Sequence, residues 1–429
     1  MQVLVPDTMI ERPARLPLPP GPPDTPLGQA AAGSFLLMVA SLPWSIAPMS
    51  IAAGLCAALT LPLWVRRPGL VAQRTPVDLP ALGWLAALVL SAAFALDRTA
   101  SLARVSKGLM PALVLLAAFH ARDPRRGRRA LAVLLVSAGL GATFGLGAFA
   151  AHGASHAARA RGAVGHYMTF AGQLLLLAGT AAGVAVLARE PRWRAGAAAG
   201  AALGAAALAV TFTRSAWIGL AVALAVLLGA VRPRRLPALA AVIALALVAA
   251  PAPYRARALS AFDPRHPVNL ERTYMWQAGL RMFGDHPLTG VGLQDLKTVY
   301  DRYRPPQAHE RAGHLHSVPI QVAASMGIVG LMAFAWLVFG LFRATTRDLA
   351  PALRAGGLAA GLRLGVTAAF SGFLVAGLFE WNFGDEELLY LLFTLVGLAW
   401  AARGWEAPAV SAPGEGTAGL AAAAPEHAP

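Results

Sequence analysis

Residues 214–251 read RSAWIGLAVALAVLLGAVRPRRLPALAAVIALALVAAP, which is two apolar runs joined by a short basic turn. Each run is long enough to cross the hydrocarbon core of a bilayer, about 30 Å, as an α-helix that rises about 1.5 Å per residue. A backbone surrounded by lipid has no water to bind, so it must satisfy its own hydrogen bonds. This stretch therefore predicts two consecutive membrane-spanning helices.

The same pattern recurs along the whole chain. Of the 429 residues, 57 % are hydrophobic and only 13 % are charged. We predict an all-α polytopic membrane protein with about twelve transmembrane helices and one large extramembrane loop between the ninth and tenth. The predicted spans are 31–47, 49–65, 79–96, 104–120, 130–150, 167–188, 195–212, 214–231, 235–251, 318–342, 362–380 and 387–403.

These spans divide the chain into five parts. Residues 1–28 form a Pro-rich tail without the apolar core of a secretory signal, and residues 405–429 form a second low-complexity tail. Spans one to nine occupy 29–251, the polar loop occupies 252–317, and the last three spans occupy 318–404. The single cysteine, Cys56, lies in an apolar run and has no partner for an intramolecular disulfide.

Charge gives the predicted orientation. The formal net charge is +15, but most Arg and Lys residues lie in short loops at one end of the apolar runs, which is typical of topology signals and not of a nucleic-acid-binding surface. That side is predicted to be cytoplasmic, with both termini on it. The 252–317 loop is then predicted to lie on the opposite face, which is the periplasmic face if the cell is Gram-negative.

The 252–317 loop itself is rich in ionisable groups. It holds nine Lys/Arg, six Asp/Glu and five His. Charges beside a bilayer are costly unless they pair or serve a site, so the cations predict an anionic ligand at the membrane surface. Arg214 and the acidic segment Glu380–Glu387 are expected at the same face.

Several motifs occur in a set order from Thr213 onwards. They are Thr213-Arg-Ser-Ala-Trp217, Arg272-Thr-Tyr-Met-Trp276, Asp285-His-Pro-Leu-Thr-Gly-Val-Gly292, His316-Ser-Val-Pro-Ile-Gln321 and, inside the next span, Met326-Gly-Ile-Val-Gly330. Together with their loop placement, these motifs resemble the O-antigen ligase and polymerase superfamily. Where the family usually has His-Asn, this chain has His316-Ser317.

The resemblance implies a glycosyltransferase of the GT-C type in the inner membrane. Its donor is an O-antigen linked to undecaprenyl pyrophosphate, and its acceptor is a hydroxyl of the lipid A-core oligosaccharide of lipopolysaccharide. Membrane lipid surrounds it, and no nucleotide sugar, cofactor, metal or nucleic acid is expected. A repeat-unit polymerase is the alternative within the family. A transporter or flippase for the same lipid is the alternative from another class.

The candidate residues follow from this chemistry. Arg214 and Arg272 are predicted to clamp the pyrophosphate, because guanidinium groups bind phosphate oxygens bidentately. His316 is predicted to be the general base, since an imidazole is partly neutral near pH 7. The predicted substrate-binding residues are Arg265, Arg281, Arg311 and His314.

Each of these predictions has a structural alternative. Arg214 as an interfacial residue would simply extend from a helix end to the membrane surface, and Arg272 would pair with Glu271 or Asp285. His316 would orient the loop or bind phosphate. The spacing His309-x4-His-x-His is compatible with zinc, but no carboxylate or thiolate completes the set at ligand spacing.

Two glycine patterns are interpreted structurally. Gly196, Gly200 and Gly204 repeat at every fourth residue, so they predict a stripe against which another helix packs closely. Gly290 and Gly292 resemble a phosphate-binding loop but lack its lysine and its strand, so they predict a turn.

Overall fold

The structure is a computed structural model that describes residues 21–70, 74–155 and 158–405. Within these residues the chain is helical and has no β-strand. The predicted tails fall mostly outside the described residues, although the first helix already begins at Pro26. The helices are α1 Pro26–Ser41, α2 Ile46–Arg66, α3 Asp78–Ala93, α4 Arg98–Leu102, α5 Ala112–His120, α6 Pro124–Ala151, α7 Tyr167–Leu187, α8 Pro191–Ala209, α9 Arg214–Val231, α10 Leu236–Ala249, α11 Ala252–Leu259, α12 Pro267–Asp285, α13 Lys297–Tyr303, α14 Val318–Thr346, α15 Leu349–Ala355, α16 Leu358–Gly377 and α17 Glu386–Ala401.

The predicted all-α membrane fold is confirmed. Eight helical stretches of the described chain are long and apolar enough to cross a membrane, and α1 and α3 are apolar but shorter. Each of the twelve predicted spans coincides with a helix, while the total number that cross the bilayer stays a prediction. Proline at the first turn begins several of these helices, because a proline there sacrifices no helical hydrogen bond.

Glycines allow the central helices to pack at very short distances. A Cβ added to Gly183 of α7 would lie 2.4 Å from the Cα of Gly365 in α16. A Cβ added to Gly219 of α9 would lie 2.7 Å from the carbonyl oxygen of Gly372, also in α16. Small residues let helix backbones approach closely where the hydrophobic effect gives no driving force. The α7–α9–α16 core therefore fixes the start of α9, where Arg214 lies.

The predicted loop 252–317 is folded. It contains α11, α12 and α13, and it has a small core in which Met275, Met282, Tyr300 and Leu315 are each no more than 2 % exposed. This core holds α12 against α14 and brings the end of the segment, with His316, back to the membrane helices.

The Gly290–Gly292 segment is a turn, as predicted, and it inserts into a break in α14. Gly327 has φ 61° and interrupts the helix there. The free backbone groups pair with the turn: Val291 N–H donates to Ala324 C=O at 2.8 Å, and Ile328 N–H donates to Pro287 C=O at 2.8 Å. The motif thus serves to anchor the polar segment to a membrane helix.

One aromatic residue departs from its prediction. Trp405 was expected at the start of a tail, but it is only 6 % exposed, and its indole N–H donates to the Ala121 carbonyl at 2.9 Å. The chain therefore remains packed up to the last described residue.

Candidate active site

Arg214 is the first residue of α9, and its side chain is held by polar groups of the 252–317 segment. The residue is 7 % exposed. Its guanidinium donates to Ser260 Oγ at 3.0 Å and to Asn269 Oδ1 at 2.7 Å. Asn269 is fixed in turn, because its amide donates to the carbonyls of Ser260 and Asp263. Arg214 is therefore held inside the protein and does not simply extend from a helix end to the membrane surface.

The backbone just before Arg214 is strained. Phe212 has φ 52°, a left-handed conformation that bulky residues rarely adopt. Tyr254 of α11 stacks on the Phe212 ring with centroids 4.5 Å apart, and Arg257 Nε donates to the Phe212 carbonyl at 3.2 Å. Strain of this kind persists where the surrounding structure enforces it, and it is concentrated at functional sites.

Four arginines gather around this point, and we call them the arginine cluster: Arg159, Arg214, Arg257 and Arg272. Burial and then the like charges of Arg214 and Arg159 lower the pKa of Arg257 to about 10. Among the described residues, neither Arg214 nor Arg257 forms an ion pair with a carboxylate. Like charges held close together raise one another's electrostatic energy, so an anion placed at this cluster would be stabilised.

Glu380 joins the arginine cluster to His316. Arg272 Nη2 lies 3.3 Å from Glu380 Oε2, and His316 Nδ1 lies 2.9 Å from Glu380 Oε1. The side chains of Glu380, Arg272 and His316 are 13 %, 15 % and 19 % exposed, so the contacts are largely screened from water. Among the described residues, Arg272 forms its ion pair with Glu380 and not with the alternative partners Glu271 and Asp285. Glu271 accepts hydrogen bonds from the His309 and Glu310 backbone.

The environment keeps Glu380 ionised. Burial alone would raise its pKa, but the hydrogen bond from His316 and the charges of His316 and Arg272 outweigh burial and lower the pKa of the carboxyl. An ionised carboxylate only accepts hydrogen bonds, so the proton of this contact belongs to His316 Nδ1. In the neutral imidazole the lone pair is then on Nε2, which is the arrangement that a general base requires.

The two histidines of the segment contact each other. Their ring centroids are 4.2 Å apart in an edge-to-face arrangement. Burial and the charge of His316 lower the pKa of His314 to about 4, so His314 is neutral at pH 7. His316 has φ 46°, a second strained position beside the site.

The sequence argument against zinc was wrong in one respect. A carboxylate does complete the set, because Glu380 comes from the α16–α17 connection, and single ligand atoms of His314, His316 and Glu380 lie within 4.8 Å of one another. Arg272 already supplies a positive charge to that carboxylate. A divalent cation would therefore have to bind beside an arginine.

A second carboxylate, Asp385, lies on the far side of Glu380. It accepts a hydrogen bond from Thr169 Oγ1 at 2.8 Å. Burial raises the pKa of Asp385 to about 6, with a further contribution from the negative charge of Glu380. Lys107 pairs with the neighbouring Glu386 at 2.9 Å. The acidic segment meets the 252–317 segment, as predicted, through the contacts of Glu380 with Arg272 and His316.

The other predicted substrate-binding arginines lie outside the arginine cluster. Arg265 is exposed in the α11–α12 connection. Arg281 is exposed on α12 and donates to the Tyr303 carbonyl, and Arg311 is 72 % exposed and pairs with Asp301 at 2.8 Å. Their role in binding stays a prediction.

Sequence reasoning did not select Arg159, Arg257, Ser260 or Asn269. Arg159 precedes α7, and its guanidinium lies 4.6 Å from the centre of the Tyr167 ring. The predicted orientation already placed Arg159 at the face that carries Arg214, which was the available signal. Ser260 and Asn269 gave no such signal, because they reach Arg214 only when the turn between α11 and α12 has formed.

Comparison with known families gives one result. Residues 199–335 match a family model described as O-Antigen ligase. No curated protein matches the chain. The matched segment contains the motifs of Arg214, Arg272 and His316, whereas Glu380 lies beyond it. The predicted resemblance to the O-antigen ligase superfamily is therefore confirmed over residues 199–335.

Proposed function

We propose that the protein is a ligase that transfers a polysaccharide from undecaprenyl pyrophosphate to a sugar hydroxyl of lipid A-core. The observation that supports this most directly is the arginine cluster beside the His316–Glu380 pair. The first offers a site for a diphosphate, and the second offers a base for a hydroxyl. The family match supports a glycosyltransferase in the broad sense.

The donor binds through its diphosphate. Arg214 is preorganised by Ser260 and Asn269, so little side-chain freedom is lost when phosphate oxygens bind. The amino end of α9 adds partial positive charge at the same place. During transfer, negative charge accumulates on the departing phosphate, and fixed cations aimed at that charge stabilise the transition state.

The acceptor is activated by His316. The acceptor hydroxyl oxygen attacks the anomeric carbon, the bond from that carbon to the phosphate oxygen breaks, and undecaprenyl diphosphate departs with the electron pair. The hydroxyl proton passes to His316 Nε2. Glu380 then stabilises the imidazolium through Nδ1–H, as a buried carboxylate does in other acid–base pairs.

A reconstituted reaction separates ligase, polymerase and transporter. Purified protein is mixed with lipid-linked glycan and with lipid A-core, and products are resolved on a gel. Enlarged lipid A-core supports the ligase. A ladder of longer lipid-linked glycans supports the repeat-unit polymerase, and the absence of any covalent product with intact donor binding favours the transporter.

We also propose that transfer needs no metal. The charge of Arg272 already occupies one face of Glu380, which disfavours a second cation there. Transfer should be unchanged after treatment with EDTA, and purified protein should contain less than one zinc per chain by elemental analysis. Loss of activity in EDTA with recovery on zinc addition would contradict this and would assign His314, His316 and Glu380 as ligands.

The proposed topology places the site on the periplasmic face and both termini in the cytoplasm. Gln307 is exposed in the segment that precedes His316. With Cys56→Ala as background, Gln307→Cys should react with a membrane-impermeant thiol reagent in intact cells whose outer membrane is permeabilised. Reaction only after lysis would place the segment in the cytoplasm and would overturn the proposed function.

A further inference from the structure

A groove that is open at the surface runs between α6 and α8, and none of its lining residues belongs to the candidate active site. Its volume is about 750 Å³. Its walls are apolar over most of their length and include Val136, Leu140 and Leu203. Val136 and Leu140 are 63 % and 58 % exposed, so no other part of the described chain covers them.

The floor of the groove is formed by glycines that were expected to pack against another helix. Only Gly204 does so, because a Cβ added there would lie 3.1 Å from the Cβ of Ala178 in α7. Within the described residues, a Cβ added to Gly196 or Gly200 would meet nothing within 4 Å, and the same holds for Gly139 across the groove. The described part of the chain therefore packs against the predicted stripe at Gly204 but not at Gly196 or Gly200.

One end of the groove is positively charged. Arg128, Arg129 and Arg192 line it there, next to Trp193. Glu190 pairs with Arg128 at 2.7 Å and with Arg192 at 3.3 Å. Glu190 is thus shared by two arginines, and no ion pair to Arg129 occurs within the described residues.

This charged end lies at the start of α8, whereas the arginine cluster lies beyond the other end of the same helix. Arg192 is in the first turn of α8, and α8 ends at Ala209, just before Arg214. At about 1.5 Å per residue, the 19 residues of α8 separate the two ends by about 28 Å. A headgroup bound by Arg128, Arg129 and Arg192 is thus distinct from a donor at the active site.

We propose that this groove binds an anionic phospholipid. The lipid phosphate contacts the three arginines, and one acyl chain lies along the groove over Gly196 and Gly200. The shape and the charge of the groove favour this occupant. The apolar length of the groove matches an acyl chain, and its single cationic end matches an anionic headgroup. Basic pockets between membrane helices are known to bind anionic headgroups in this way.

Lipid titration tests the proposal without any glycan donor, so the result does not depend on the proposed function. Delipidated full-length protein is titrated with phosphatidylglycerol or phosphatidylethanolamine and examined by native mass spectrometry. Phosphatidylglycerol should bind at least tenfold more tightly. Replacement of Gly196 and Gly200 by Leu should fill the groove and weaken that binding at least tenfold.

Matched variants control for folding and for nonspecific charge. Gly147→Leu adds the same side chain to α6 at an open position outside the groove, and it should bind lipid normally. Arg129→Gln should reduce the preference for phosphatidylglycerol, whereas Arg194→Gln, an exposed arginine outside the groove, should not. Thermal unfolding in detergent verifies that each variant is folded.

Three outcomes would overturn the proposal. The first is equal binding of the two lipids by the unmodified protein. The second is unchanged binding after both glycine substitutions. The third is a dimer that the glycine substitutions convert to monomer while lipid binding persists, which would assign the groove to a second copy of the chain.

Discussion

The arginine cluster and the His316–Glu380 pair lie side by side but differ in how their charges are balanced. Arg214 and Arg257 have neutral hydrogen-bond partners and repel each other, so their electrostatic energy improves only when an anion binds. His316 already has an anionic partner at 2.9 Å, so its orientation and tautomer are set before any substrate arrives. We propose that donor binding completes the arginine cluster, whereas the His316–Glu380 pair is complete before any substrate binds.

Arg272 and Glu380 connect the two regions. Their 3.3 Å contact offsets the charge of Arg272, which is the arginine that shares Glu380 with His316. Without it, a protonated His316 would lie beside guanidinium groups that have no carboxylate to offset their charge. Substitutions in the arginine cluster and in the His316–Glu380 pair should therefore affect different properties, namely donor binding and turnover.

The largest effect is expected for His316→Ala. Transfer should fall by about 10² to 10⁴, the usual contribution of a general base, while donor affinity changes little. Turnover is measured with saturating donor and acceptor, and donor binding is measured separately by calorimetry. A fall of less than threefold would show that His316 is not the general base. An equally large loss of donor affinity would show that His316 binds the donor, as the arginine cluster does.

Arg214→Ala should act mainly on the donor. Loss of a charge-assisted contact of about 1.5–3 kcal/mol corresponds to about a 10- to 100-fold weaker donor interaction. The effect should shrink as salt rises, because screening weakens the wild-type interaction as well. Donor titration at several salt concentrations checks this, provided that protein levels and thermal stability are retained; an unchanged donor affinity would exclude the clamp.

Arg257 and Arg255 offer a matched pair on α11. Arg257→Gln removes a member of the cluster and should raise the KM for donor about tenfold, in line with one lost charged contact. Arg255 is exposed two residues earlier, and Arg255→Gln should leave the KM unchanged. Equal effects from the two variants would mean that general surface charge, and not the cluster, attracts the donor.

Glu380→Gln should have opposite effects on the two regions, lowering turnover and strengthening phosphate binding. The imidazolium loses its anionic partner, so kcat should fall about tenfold, whereas Arg272 is released to bind phosphate. Undecaprenyl diphosphate should therefore inhibit the variant more strongly than the wild type. A merely structural role for Glu380 would weaken product binding together with kcat, and that outcome would break the comparison.

The smallest effect concerns stability at Asp385. Because its pKa is raised to about 6 in the folded state, the stability that it contributes is fully present below its unfolded pKa and is lost as pH rises through about 6. Asp385→Asn keeps an acceptor for Thr169 and should increase the free energy of unfolding at pH 7.5 by roughly 1–3 kcal/mol. The advantage should vanish near pH 4. Thermal unfolding across this pH range measures it, and a destabilised variant at pH 7.5 would contradict the assignment.

Much of the site followed from residue type and order. Arg214, Arg272 and His316 are identifiable because each occurs in a motif at the boundary between an apolar run and a polar segment. The pairing of Arg272 was not identifiable, since Glu271 and Asp285 are nearer in sequence than Glu380, which is 108 residues away. Ser260 and Asn269 likewise acquire their role only when α11 and α12 fold over the start of α9.

The amino-acid sequence alone determined that this chain is a bundle of apolar helices, because lipid permits few backbone structures, and it predicted one face for the ionisable groups, because lipid excludes unpaired charge. Tertiary structure alone decided which carboxylate contacts His316, which arginine of the cluster pairs with that carboxylate, and which glycines of the described chain face open space and not a helix. Periodicity specifies the face that a residue occupies on its own helix. The neighbour across that face depends on how helices far apart in sequence pack, and only the folded chain contains that information.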